Sequence, residues 1–330
     1  MPLGSVVGHP QIVSLLRHAA ERGSVPQSLL FAGPEGVGKR TVALALAQAI
    51  NCPRRKGGDA CGTCPTCLRI ARGQHSDVTL IDRGDEASIK IRTLRERLLD
   101  TVGYRPFEAE RRVYIIDNAD DMTWEAQDAL LKTLEEPPPS AILILVTAYP
   151  DTLRPTIQSR CRRLRFSPLV EADVARVLVD YCGIAPADAR VLAVAAGGSV
   201  SRALSEEAGD LADDREAAMA VLRAAGGRAL QARLKAAASL AQHGSKRRDR
   251  EALDARLGVL ASLVRDLTVV GSGAATPVAN ADLEGDLRQL LASFDPRRLS
   301  QGFTLVADAR QALERNASPK IVADWLAISL

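Results

Sequence analysis

Apolar and polar positions along the chain repeat with two periods, one helical and one extended. Near the start, QIVSLLRHAAERG (residues 11–23) carries its apolar residues at helical spacing and stops at a glycine. The apolar run SLLFAG (28–33) then reads as a buried strand, and a helix opens at Gly38. The pattern DVTLID (77–82) predicts another strand, IKIRTLRERLLDTVG (89–103) a charged helix, and RRVYIIDNAD (111–120) a buried strand that ends in acidic residues. The helix WEAQDALLKTLEEPPP (124–139) is stopped by three prolines, after which AILILVTA (141–148) and CRRLRFSPL (161–169) are the last strands. Strands alternating with helices predict an α/β fold, a parallel sheet covered on both faces. From about Val170 strand signals vanish. EADVARVLVDYCG (171–183) and DARVLAVAAGG (188–198) read as short helices and SEEAGDLADD (205–214) as polar linker. The rest is amphipathic helix broken by VVGSGAATPVANAD (269–282), with the order of 271–281 left open.

Composition narrows the class. The 330 residues suffice for two or three domains. With 43 Lys+Arg against 40 Asp+Glu, the net charge of +3 excludes a wholesale polybasic nucleic-acid binder, and 3% aromatics argue against broad base-stacking platforms. No run approaches the length of a membrane span, and MPLGSVVGHPQ lacks an apolar leader core, so a cytoplasmic protein is expected.

Two motifs carry chemistry. Gly33-Pro34-Glu35-Gly36-Val37-Gly38-Lys39 follows a strand and opens a helix, the context of a phosphate-binding loop: backbone N–H groups converge on an anion and Lys39 adds a mobile charge. A tight strand-to-helix turn is the plainer alternative. The next residue is Arg40, where such loops carry the Ser or Thr that ligates Mg²⁺; a guanidinium has donors only. Thr41 lies about 100° further round the helix. Asp117 stands where a metal-supporting carboxylate belongs, but its neighbour is Asn118, an amide that accepts no proton at neutral pH. Nucleotide, ATP or ADP, is therefore expected to bind without efficient hydrolysis.

The second motif is the cysteine cluster Cys52, Cys61, Cys64 and Cys67, four of the six cysteines in one short stretch. Four soft ligands suit tetrahedral Zn²⁺ with no open position, hence a structural site; an iron–sulfur cluster and free thiols are the alternatives. Cys161 and Cys182 lie apart and read as ordinary hydrophobes.

Taken together, the loop, the four-cysteine insertion after its helix, the acidic strand end, ALLKTLEEPP, VTAYP and LRPTIQSRC resemble bacterial clamp-loader subunits of the AAA+ class. Arg40 and Asn118 point to the non-hydrolysing, delta-prime branch over the gamma/tau motors. The likeness is dense over 1–168 and thin over the C-terminal helices. It implies an AAA+ domain over 1–168 with a zinc module at about 52–67, a helical lid over 169–208 and an all-α collar over 209–330. Ser159-Arg160-Cys161 matches the family's SRC motif, whose arginine reaches the γ-phosphate held by a neighbouring subunit; taken alone, Arg160 reads as a local ion pair. Thr147 falls near the sensor-1 position, and Ser201 stands where active members carry a sensor-2 arginine, with Arg202 one step off. Gamma/tau and delta subunits, a sliding clamp and primed DNA reached through the complex are the implied partners. Basic stretches at 54–58, 161–166 and 245–250 read as solvated runs or as contacts to phosphate or protein. An autonomous ATPase and a zinc-containing nucleic-acid-binding module are the rival readings.

Overall fold

The five expected strands form one parallel sheet, β1 (Ser28–Ala32), β2 (Val78–Ile81), β3 (Arg112–Ile116), β4 (Ala141–Thr147) and β5 (Arg162–Arg165), in the order β2-β3-β4-β1-β5. Parallel neighbours cannot be joined by tight turns, so each connection crosses over through helix or a long loop. The helices of this part are α1 (Pro10–Glu21), α2 (Lys39–Asn51), α3 (Pro65–Ala71), α4 (Ile91–Leu94), α5 (Trp124–Glu135) and α6 (Pro155–Arg160). Every residue of β1 and β4 is buried, as expected of strands covered on both faces, whereas edge strand β5 buries only Leu164. In register, Leu30 faces Leu145 on one side and Arg163 on the other. One face, with Leu30, Tyr114, Ile116, Leu143 and Leu145, packs on Leu94, Leu98, Leu130, Leu134 and Ile157. On the other, α2 packs against β3 and β4 with α1 beside it.

The computed structural model describes residues 1–205, 208–227, 229–241, 246–273, 278, 280, 283–315 and 317–330, and divides them into two units, Met1–Asp173 and Val174–Leu330. The second unit is helical among its described residues. The boundary falls within α7 (Glu171–Cys182), followed by α8 (Pro186–Ala195), α9 (Val200–Ser205), α10 (Ala208–Gly226), α11 (Leu230–Ala241), α12 (Lys246–Ser272), α13 (Glu284–Leu291), α14 (Pro296–Glu314) and α15 (Pro319–Ser329). α12 runs through the middle of this unit, touching α8, α10, α11, α13, α14 and α15, and buries Leu253, Leu257, Leu260, Leu263 and Leu267.

Three expectations change. The stretch read as linker is helical from Ala208 onward as the start of α10. Its Asp214 is buried against Arg256, Oδ1 to Nε 2.6 Å, so a carboxylate that looked solvated is an internal ion-pair partner. Residues 246–250 of the basic stretch form the opening of α12. The charged helix over 89–103 is short, α4 passing into a π-helical turn over Arg95–Leu99. Residues 269–272 belong to α12, while most of the proposed 271–281 loop lies outside the described residues.

Candidate nucleotide and metal sites

Chain order reverses about β1: the path runs from β1 to the far edge at β2, returns through β3 and β4, and passes β1 to reach β5. In open parallel sheets, crevices for ligands form at the carboxyl ends of strands beside such a reversal. The loop 33–39 leaves β1 there, Asp117 to Asp121 leave β3, and Thr147 closes β4.

The loop's shape is fixed by its glycines. Gly33 has φ 155°, and a Cβ on it would stand 2.2 Å from the carbonyl oxygen of Phe166, just past β5; Gly38, the N-cap of α2, is left-handed at φ 93°. Lys39 turns back on the loop, Nζ donating to the carbonyls of Gly33 and Pro34 at 2.6 Å each. It is buried, and burial brings its pKa down to about 8 against the opposing pull of Glu35, Asp120 and Asp117.

Beside it, Arg40 Nη1 donates to Asp117 Oδ2 at 3.1 Å. The Arg40 side chain is half exposed and the Asp117 carboxylate nearly covered. Burial raises the Asp117 pKa, and the charge and hydrogen bond of Arg40 pull it back. The residue at the position of the Mg²⁺-binding hydroxyl and the metal-supporting carboxylate are therefore bonded to each other. Asn118 takes a left-handed conformation, φ 49°, that turns the chain into the short helix Ala119–Asp121. Thr147 is fully buried, its Oγ1 donating to Asp120 Oδ1 at 2.6 Å and accepting from Tyr149 N at 3.0 Å. Thr41 is exposed on α2.

The four cysteine sulfurs all lie within 4.8 Å of one another. Cys52 caps the C-terminus of α2, Cys64 the N-terminus of α3, and Cys67 lies one turn into α3. The sulfur of Cys52 is 3.6 Å from that of Cys61 and 3.9 Å from that of Cys64. Tetrahedral thiolates with metal bonds of about 2.3 Å place their sulfurs about 3.8 Å apart. Backbone N–H groups of Cys61, Cys64 and Cys67 donate to the sulfurs of Cys52, Cys61 and Cys64 at 3.3–3.4 Å, contacts that favour thiolate. N–H groups of Thr63 and Cys64 hold the Cys61 thiol down at about 6, while burial pushes Cys67 and Cys52 upward. The donor set fits a metal ion with no open position.

The other expected residues lie apart from the loop's contacts. Arg160, the last residue of α6, donates to Thr156 O at 3.0 Å and Glu135 Oε1 at 2.6 Å. In the second unit Ser201 Oγ is 3.3 Å from Ser199 Oγ, and Arg202 pairs with Asp254, which Arg310 also contacts. Of the basic stretches, Arg55 is bonded to Ile50 O and Glu110, while Arg162, Arg163 and Arg165 are exposed along β5. Sequence reasoning missed His9, whose Nε2 is 2.9 Å from Val37 O and whose ring meets Phe166 edge-on at 4.8 Å, and Asp120 as the partner of Thr147. The His9-Pro10 step at the start of α1 is the local sequence signal for the former, and the structure gives His9 a left-handed conformation.

Residues 8–170 match the family model described as DNA polymerase III, delta subunit. The DNA polymerase III subunit delta' of Bacillus subtilis (strain 168) is 36% identical over 187 residues, 56% of this chain and 55% of that one. The DNA polymerase III subunit tau of the same organism is 36% identical over 61% of this chain and 36% of its own length, and that of Escherichia coli (strain K12) is 34% identical over 61% and 31%. The chain thus spans about half the length of the first relative and about a third of the others. A gamma subunit-related protein of Thermotoga maritima superposes with a TM-score of 0.41 at 18% identity, covering 90% of this chain and 99% of that one. No helix among the described residues is long and apolar enough to cross a membrane.

Proposed function

We propose that the chain is the non-hydrolysing, delta-prime-type stator of a clamp loader, a reading supported by the match of residues 8–170 to the DNA polymerase III delta family model and by the similarity to delta' and tau subunits. The observation that carries this reading is the Arg40–Asp117 pair at 3.1 Å. Magnesium-assisted phosphoryl transfer needs a hydroxyl or carboxylate free to place the ion and a group to orient water. Here the position of the hydroxyl holds a cation, the carboxylate is bonded to that cation, and the water-orienting position holds the amide of Asn118.

The loop retains Lys39 and its backbone donors, so it holds ADP or ATP without turning it over. Cys52, Cys61, Cys64 and Cys67 hold a structural Zn²⁺, which ties the end of α2 to the start of α3. Residues 169–208 serve as lid and 209–330 as collar. In the second unit, Leu230 and Leu234 of α11 and Ile321, Trp325 and Ile328 of α15 leave large apolar side chains exposed, which supports assembly with gamma/tau and delta subunits. Arg160 serves the γ-phosphate site of a neighbour, and the assembled ring opens a sliding clamp on primed DNA.

ATP hydrolysis by a reconstituted complex with clamp and primed DNA tests the proposal, the chain alone serving as blank. A silent blank, an active complex and a marked loss with Arg160→Ala at unchanged assembly support it. Turnover by the chain alone, abolished by Lys39→Ala, would make it a gamma/tau-like motor, the reading that the identity to tau subunits keeps open.

A further inference from the structure

Every carboxylate that follows β3 at the crevice has a protein partner. Asp117 is bonded to Arg40, Asp120 accepts from Thr147 Oγ1 and, at 3.3 Å, from the Ala148 N–H, and Asp121 lies 3.5 Å from Arg83. On the facing helix, the position that supplies a metal-binding hydroxyl in P-loops carries a permanent cation. A divalent ion placed between Arg40 and Asp117 would displace an existing ion pair and meet a like charge a few ångströms away. The residues do not fit Mg²⁺.

They do fit the charge that Mg²⁺ neutralises. Arg40 occupies the first turn of α2 next to Lys39, its guanidinium bonded through Nη1 to Asp117 and its side chain half exposed. A guanidinium offers five N–H donors in a planar fork suited to phosphate oxygens, and Asp117 accepts from one of its nitrogens. Lys39 is the second cation, held on the loop carbonyls by two hydrogen bonds. Arg40 and Lys39 thus place two positive charges at the N-terminus of α2, whose backbone N–H groups favour an anion.

We infer that this loop binds a nucleoside diphosphate or triphosphate as the metal-free anion, with Arg40 in the role that a divalent cation plays in hydrolysing relatives of the fold. The inference rests on the reading above that the loop holds nucleotide. It goes beyond loss of hydrolysis, because it specifies the form of the ligand and the residue that replaces the metal.

Equilibrium titration of the full chain with a fluorescent ADP analogue, in excess EDTA and in excess MgCl₂, tests it. The expected result is equal affinity in the two buffers within about twofold. Magnesium tightening binding by about tenfold or more, 1.4 kcal/mol, would overturn the inference while leaving the nucleotide site standing. Arg40→Ser, checked for an unchanged melting temperature, restores a hydroxyl and frees Asp117. It is expected to bind the analogue at least about tenfold more weakly in EDTA and to recover affinity when Mg²⁺ is added. A variant that binds like the parent in EDTA would show that Arg40 contributes nothing. Lys39→Ala, expected to abolish binding, verifies that the analogue occupies this loop. No binding by the parent chain in either buffer would overturn both this inference and nucleotide occupancy, leaving the stator role to the ATPase assay.

Discussion

The guanidinium of Arg160, at the end of α6, is held by the carboxylate of Glu135 at the end of α5, Nη2 to Oε1 2.6 Å. A glutamate of ALLKTLEEPP thus positions the arginine of the SRC motif. Both side chains are a third to a half exposed, and such pairs contribute at most about 1 kcal/mol to stability. Arg160→Ala and Glu135→Gln should therefore melt close to the parent chain. In the reconstituted complex, Arg160→Ala should reduce ATP turnover at the neighbouring site on the order of tenfold or more, whereas Glu135→Gln should retain most of it. Equal, mild effects of the two changes would reduce Arg160 to a local ion-pair partner.

The cysteine cluster makes a separate commitment. Elemental analysis of chain purified without chelator should find about one zinc per chain and no iron, and Cys64→Ser with Cys67→Ser should abolish it. Because α2, which carries the phosphate loop, ends at Cys52, metal loss should also lower stability by several kcal/mol, read as a large fall in melting temperature. Metal-free chain that melts like the zinc-loaded form would refute a structural role.

How much of this was legible in the sequence depended on distance along the chain. The strands could be read because a strand covered on both faces is a continuous apolar run, and SLLFA and AILILVT are such runs. The four cysteines could be read because 16 residues, 52–67, contain them all. The partner of Arg40 lies 77 residues away and that of Thr147 27, so the substitutions were visible but the bonds they make were not. Asp214 failed for the same reason. A polar stretch looks like linker until its buried partner Arg256, 42 residues on, is known.

Gly33 and Gly38 separate two costs of adding a side chain. At Gly38 a Cβ meets no atom within 4 Å, so Gly38→Ala carries only left-handed strain, about 1–2 kcal/mol. At Gly33 the Cβ would lie 2.2 Å from a backbone oxygen of Phe166, which cannot move without disturbing β5. Gly33→Ala should therefore cost more, about 3 kcal/mol or above. Urea unfolding of both variants checks the order, and equal midpoints would mean that the end of β5 yields freely.

Asp77 gives the chain an acid-sensitive fastening. Its side chain is fully buried and accepts from the N–H groups of Phe107, Glu108 and Ala109 at 2.8–3.0 Å, with Arg112 Nε at 3.3 Å. Burial by itself would raise its pKa, but those three hydrogen bonds and the Arg112 charge outweigh it and hold the carboxyl below its ordinary 3.8. A depressed folded-state pKa means that the unfolded chain binds the proton more readily. The stabilisation is therefore complete well above the unfolded value of 3.8, begins to fall as that value is approached, and is lost as pH falls through the folded value. Asp77→Asn removes the charge and sets an amide N–H₂ against backbone donors, at a cost of about 2–3 kcal/mol near neutrality. The stability gap between parent and variant, measured by urea unfolding across pH, should be flat from neutrality to about pH 5 and narrow below that. A gap that stays constant into the acid range would mean that Asp77 is not ionised in the native state, and that the 107–109 loop is held by shape alone.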